Sequence, residues 1–180
     1  MDTAVRDLGE RLTNTAYFLG EYATLKLGGD RRPTGWRRRM FRFPIAMYRW
    51  RLEGLISDRI LLLRTVGRNT GKVRVTPLEY LHDPSTDTYY LMAGWHGRTD
   101  WVRNIEKDPH VRIRVGRRES ARLARILDDV ESALVTQRWI ARTPNLARIL
   151  ERDTGVRYRG TLVSAMEMAA HYTVLSLVAA

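Results

Sequence analysis

The sequence predicts an α+β fold built on an antiparallel β-barrel, and three observations carry that expectation. Five or six short segments rich in β-branched, aromatic and aliphatic residues follow one another at hairpin spacing through the middle of the chain. The joins between them are made of glycine, asparagine, aspartate and proline, the residues that tight turns require. Segments of helical period lie at both ends. At 180 residues and 44% hydrophobic content the chain holds one ordinary domain with one packed core. No internal repeat and no low-complexity tract interrupts it.

The first element is an amphipathic helix. Val5, Leu8, Leu12, Ala16, Leu19 and Ala23 recur at steps of three and four, and Gly28 with Gly29 ends the run. We assign it residues 1–30, outside the barrel, and give the barrel domain residues 31–180. Between Arg31 and Arg64 stand ten arginines and only two acids, Glu53 and Asp58. Trp36, Met40, Phe41, Phe43, Met47, Tyr48 and Trp50 interleave with them. An interfacial helix is built this way, with guanidinium on phosphate and aromatic at the acyl boundary. Long Arg stems beside aromatics also occur where a helix packs on a sheet, and Pro44 would start such a helix. We favour the packing reading.

From Ile60 the character changes to strands. ILLLRTV (60–66), the turn GRNTGK and VRVTPLEYL (73–81) read as a β-hairpin. HDPSTD (82–87) turns the chain into a third strand, TYYLMAG (88–94). Thr99 is placed to cap a short helix, DWVRNIEK, which stops before Pro109. HVRIRV (110–115) alternates Val111, Ile113 and Val115 with Arg112 and Arg114, the pattern of a strand buried on one face. GRR turns it into ESARLARIL (119–127). Asp128 followed by Glu131 forms a capping box that opens a helix to about Arg142, before Pro144. Residues 143–171 are mixed in character, and TVLSLVA (173–179) reads as the closing strand.

Lys and Arg total 31 against 20 for Asp and Glu, a net charge of +11. Such a surface suits a polyanionic partner: nucleic acid, an anionic membrane surface or a phosphorylated cofactor. With no cysteine, disulfides, thiolate metal sites and cysteine nucleophiles are excluded, and a reducing cytoplasm is the natural setting. The opening MDTAVRDLGERL reads as neither a secretory signal nor a membrane span, so membrane contact would be peripheral.

Two clusters could carry chemistry. The turn between Gly67 and Arg74 gathers Arg68, Asn69, Thr70, Lys72 and Arg74 around two glycines, and backbone amides, a hydroxyl and fixed cations are what a phosphate needs. It lacks the Walker spacing, and on composition alone a solvated basic hairpin is the simpler account. The loop AGWHGRTDW (93–101) sets Gly94 and Gly97 around Trp95 and His96, a shape that can wrap a planar ligand, although Trp95 and Trp101 could equally fill the core. His82, His96, His110 and His171 have no metal-like spacing, no hydrolase triad is evident and no paired carboxylates stand out. Chemistry supplied by a bound cofactor fits this pattern, with the protein providing position and electrostatics.

The same segments resemble the deazaflavin-dependent nitroreductase family, enzymes that use coenzyme F420 on a split β-barrel of the FMN-binding type. The likeness rests on LLLRTVGRNTGKVRVTPLEYL (61–81), LMAGW (91–95), DWVRNIEKDP (100–109) and VRIRV (111–115), with a looser match at FRFPIAMYR (41–49). It implies that Arg68, Asn69, Thr70, Arg74 and Thr76 hold the cofactor's phosphate, helped by Lys72. Val75, Pro77, Leu78 and Glu79 would run beside the deazaflavin ring. Met92, Ala93, Gly94 and Trp95 would give backbone contacts to the ring edge and tail, and Asp100, Trp101, Val102, Arg103 and Asn104 would close the far side. Three features depart from the family pattern: Asn69 replaces a usual lysine, Gly94-Trp95 replaces a common Ser-Lys, and Tyr158 is the sole tyrosine in ARTPNLARILERDTGVRYRG.

By this resemblance the chain is an F420H2-dependent oxidoreductase that passes hydride to a small lipophilic acceptor, a quinone or a nitro compound, in the cytoplasm or at the inner face of the plasma membrane. A homodimer is left open, and no metal is expected. The competing readings are a basic nucleic-acid-binding module, a split barrel that binds FMN or haem instead, and a cofactor carrier without activity.

Overall fold

A computed structural model of the chain describes residues 59–94, 99–143 and 145–180. The amphipathic segment 1–30, the arginine and aromatic stretch up to Asp58, Trp95, His96, Gly97 and Pro144 lie outside the described residues. The described elements run β1 (Ile60–Val66), β2 (Val73–Glu79), β3 (Leu81–Asp83), β4 (Thr88–Ala93), α1 (Asp100–Lys107), β5 (His110–Val115), β6 (Arg118–Ile126), α2 (Asp129–Arg142), α3 (Asn145–Thr154), α4 (Leu162–Ala169) and β7 (Thr173–Ala179).

All pairings are antiparallel, in the order β2-β1-β5-β6-β7-β4-β3. This order requires the sheet to curl. Laid flat, its two edge strands would stand about 29 Å apart, six interstrand spacings. Here a single residue, Tyr80, separates β2 from β3, and Cα atoms two residues apart lie within about 7 Å. The opposite edges of the sheet therefore meet at Tyr80, whose ring packs on Tyr89 of β4 with centroids 5.5 Å apart. The fold is a split β-barrel with flanking helices, as the sequence leads one to expect.

The seam also corrects the sequence reading, which ran one strand from Val73 to Leu81 and then a turn over 82–87. The chain stops pairing with β1 at Glu79 and starts pairing with β4 at Leu81. At Tyr80 its N–H bonds to the Arg59 carbonyl at 3.2 Å instead. Local pattern cannot reveal this, because both strands continue the same extended run across the closure. The described sheet consequently has seven strands where five or six were expected.

Two apolar clusters occupy the two faces. Inside the barrel, Leu61, Leu63, Leu91, Val111, Ile113, Leu175 and Leu177 surround Trp101, Val102 and Ile105 of α1. On the other face, Leu81 and Val174 meet Leu127, Val135, Trp139, Ile140, Leu146, Leu150 and Met168. The strand period of two divides neighbours between them: Leu91 and Ala93 face the barrel core, while Tyr90 and Met92 pack on the helices. Burial on both faces explains why TVLSLVA reads as an unbroken apolar run.

The capping box at α2 forms as expected. The Glu131 N–H donates to Asp128 Oδ1 at 2.8 Å, and the Asp128 N–H donates to Glu131 Oε2 at 3.2 Å. The stretch read as mixed resolves into α3 and α4. Leu146 and Leu150, four residues apart, anchor α3 on the outer cluster. The Ser164 N–H bonds to the Thr161 side chain at the start of α4.

Candidate functional site

The turn joining β1 to β2 is a closed loop that depends on glycine at two positions. The Gly67 N–H donates to the Lys72 carbonyl at 2.9 Å, while the N–H groups of Thr70 and Gly71 converge on the Gly67 carbonyl at 3.1 and 2.8 Å. A Cβ on Gly67 would stand 2.9 Å from Thr70 Oγ1 and 3.1 Å from the Lys72 carbonyl oxygen. Gly71 has φ +63°, a left-handed conformation that other residues adopt at a cost.

Helix α1 receives this turn along one stripe. Asp100, Asn104 and Lys107, spaced i, i+4, i+7, share a face, while Trp101, Val102 and Ile105 enter the barrel core. The stripe engages both backbone groups of Arg68 and both of its Nη atoms. The Arg68 N–H donates to Asn104 Oδ1 at 3.1 Å. Its carbonyl accepts from Lys107 Nζ at 2.8 Å. Its guanidinium places both Nη atoms 3.2 Å from Asp100 Oδ1 and reaches the Asp100 carbonyl at 3.4 Å. Asn104, 3% exposed, also donates from Nδ2 to the buried Thr65 hydroxyl at 3.1 Å. Thr99 occupies the N-cap position of α1 with extended backbone, but its hydroxyl makes no capping bond and lies shielded without a partner. That corrects the sequence expectation of a Thr99 cap.

With Arg68 turned to the helix, Asn69, Thr70, Lys72 and Arg74 remain exposed. Among the described residues none of the four enters an ion pair. Cross-strand register sets the remainder of β2. Arg74, Thr76 and Leu78 pair with Thr65, Leu63 and Leu61, so they share the barrel-facing side, while Val75, Pro77 and Glu79 lie on the other. Leu78 packs against the inner cluster.

The other expected site residues are distributed as follows. Ala93 is buried in the inner cluster, the Met92 side chain packs on the helical side, and Gly94 has open space where a side chain would stand. Asp100 and Asn104 contact the turn, and Arg103 is exposed. Trp101 and Val102 are committed to the barrel core. Tyr158 packs against the outer cluster. Sequence reasoning missed Thr65 and Lys107. Lys107 was detectable, since it extends the Asp100 and Asn104 stripe by one helical step.

A second polar group lies at the far end of the barrel, beside the β3–β4 turn. Arg122, buried to 6% exposure, donates Nη1 to the Asp87 carbonyl at 2.7 Å and pairs Nη2 with the Asp87 carboxylate at 2.8 Å. The guanidinium also lies 4.9 Å over the Tyr89 ring, on which His82 stacks at 4.3 Å. The hydrogen bond from Arg122 is the main influence holding the Asp87 carboxyl below its usual value. Burial pushes the Tyr89 phenol up. Among the described residues no group of three His, Asp or Glu side chains could hold a metal ion.

The chain matches the sequence model of the F420H(2)-dependent quinone reductase family over residues 41–159. Among solved structures it is similar to an F420-H2 dependent reductase, FDR-A, at 22% identity and a TM-score of 0.48, covering 66% of this chain and 93% of that one. A chain described as a domain-swapped dimer has 19% identity and a TM-score of 0.48, with 74% and 98% covered. A protein related to general stress protein 26, of the pyridoxinephosphate oxidase family, from Clostridium acetobutylicum has 14% identity and a TM-score of 0.47, with 74% and 84% covered.

Proposed function

The chain belongs to the F420H2-dependent quinone reductase family, an oxidoreductase family whose cofactor is F420, and from that premise we propose that its acceptor is a lipophilic quinone, with nitro compounds as alternative acceptors. The observation that carries the cofactor placement is the division of labour within the β1–β2 turn. Arg68 is held by Asp100, Asn104 and Lys107, while the exposed Asn69, Thr70, Lys72 and Arg74 offer an amide, a hydroxyl and two cations with no internal ion partner among the described residues.

That donor set fits a phosphodiester. Lys72 and Arg74 supply charge-assisted bonds, Thr70 and Asn69 supply neutral ones, and the glycine turn brings the backbone close. Thr76, on the same face of β2 as Arg74, extends that donor set, and Leu78 then runs beside the ring, with Gly94 leaving backbone open for its edge. When bound, reduced F420 supplies hydride from its C5 position. The protein's part is to hold the ring face toward the acceptor and keep water away. The wall of Leu61, Leu63 and Trp101 beneath this region provides the rigid, dry support that such alignment needs.

We place the enzyme in the cytoplasm, meeting its acceptor at the inner face of the plasma membrane. The basic stretch 31–64 suits an anionic lipid surface, and among the described residues no helix is long and apolar enough to cross a membrane. The experiment is reduction of a soluble menaquinone analogue and of a nitroaromatic by protein loaded with F420H2, followed by deazaflavin absorbance. Quinone-dependent oxidation well above the protein-free rate is expected. A rate equal to that background with the quinone, beside rapid nitro reduction, would reverse the order of acceptors.

A further inference from the structure

The clamp on Arg68 does more than dock the turn. A trans peptide is planar, and its N–H points opposite its C=O. The structure contains no cis peptide among the described residues, so Lys107, by holding the Arg68 carbonyl at 2.8 Å, fixes the direction of the next amide, that of Asn69. That amide points away from the Lys107 ammonium, and Asn69, to which it belongs, is exposed. It has no hydrogen-bond partner among the described residues. The preceding N–H, that of Arg68, is fixed in the opposite sense by Asn104. Two successive peptide planes are thus set from one helix face. A cation on the carbonyl also polarises the peptide and makes its N–H a better donor.

We propose that Lys107 is a positioning residue that aims the Asn69 backbone amide as a donor to the cofactor's phosphodiester; this inference rests on the F420 reading above. Lys107 itself touches no ligand in this account. It acts through the Arg68 carbonyl, and its charge reaches the anion through the oriented peptide. The arrangement also gives a physical reason why asparagine is tolerated at position 69, since it is the main chain there, and not the side chain, that the clamp orients.

The test uses the full-length chain, the variants Lys107→Met and Lys107→Arg, and two probes: F420 and the phosphate-free deazaflavin ribityl compound. Lys107 is exposed on α1, so the methionine variant keeps the fold, to be checked by its melting curve. Wild type is expected to bind F420 more tightly than the phosphate-free compound. Lys107→Met should lose at least about tenfold in F420 affinity and almost none for the phosphate-free compound. Lys107→Arg should recover most of the loss. In the absence of any ligand, the Arg68 carbonyl ¹³C resonance should shift in Lys107→Met and return toward its wild-type position in Lys107→Arg. An unchanged F420 preference, or equal weakening for both compounds, would overturn the proposal. So would an unchanged Arg68 carbonyl resonance in Lys107→Met. Wild type that binds both compounds equally would overturn the proposal by removing the phosphate from this turn, and the ligand-free carbonyl resonance would still decide whether Lys107 holds it.

Discussion

Arg122 and Asp87 form a pair in which one partner is buried and the other is not: the guanidinium side chain is 6% exposed and the carboxylate side chain 57%. The asymmetry predicts unequal mutational costs. Asp87→Asn keeps a residue suited to the positive φ of 47° at this position but strands a buried cation. Arg122→Met leaves a carboxylate that water can solvate. We expect Asp87→Asn to cost about 2–3 kcal/mol in urea denaturation and Arg122→Met distinctly less. The opposite order would mean that the guanidinium finds other compensation inside the barrel.

Acid sensitivity follows from the start of α2. Glu131 accepts two bonds from Arg125, at 2.7 and 2.6 Å, and one from the Asp128 amide. These, led by Arg125, pull its carboxyl down to about 2. Asp83, Asp87, Asp108 and Glu119 are lowered as well. A depressed carboxyl binds its proton more readily in the unfolded chain. The stability it contributes is therefore present above the unfolded value and is lost as pH falls through the folded one. Thermal stability should decline between about pH 4.5 and pH 2, and Glu131→Gln should flatten part of that decline. A variant with the wild-type pH profile would contradict the assignment.

Gly67→Ala tests the turn itself. The added Cβ meets the Lys72 carbonyl and the Thr70 hydroxyl at distances that force movement, yet the turn lies outside both core clusters. F420 affinity should drop by at least about tenfold, for a stability change near 1 kcal/mol. A variant with full affinity would show that the anion site does not depend on the loop geometry, and an unfolded one would contradict the small stability change.

Arg74 and Arg68 should behave differently although both belong to the basic turn. Arg74→Ala removes a cation with no ion pair among the described residues and should weaken F420 binding by about 1.5–3 kcal/mol without loss of stability. Arg68→Ala should lower the melting temperature as well, because its guanidinium ties the turn to Asp100. Matched effects of the two variants on both affinity and melting would contradict the distinction between a helix-bound Arg68 and an unpaired Arg74.

Most of the strand plan was legible in the sequence because each strand carried its own period and each hairpin its own turn residues. HVRIRV and TVLSLVA read correctly for opposite reasons, the first by alternation and the second by burial on both faces. The break at Tyr80 was not legible, since it arises from closure between strands at opposite ends of the sheet order. The basic turn was visible as composition, but which of its residues face the helix was not. Arg68 and Arg74 look alike in sequence, and only the stripe of Asp100, Asn104 and Lys107 distinguishes them. Trp101 could have been a stacking ring or a core residue, and its place among Val102 and Ile105 on the apolar face of α1 decides for the core.

The most direct test of the account is a fluorescence titration of the cofactor-free protein with F420 and, in parallel, with FMN, following tryptophan emission. The account predicts saturable quenching by F420 at micromolar or lower concentration, abolished in the double variant Lys72→Ala/Arg74→Ala, with FMN bound much more weakly. Equal or tighter binding of FMN, or F420 binding that is indifferent to the two cations, would contradict it.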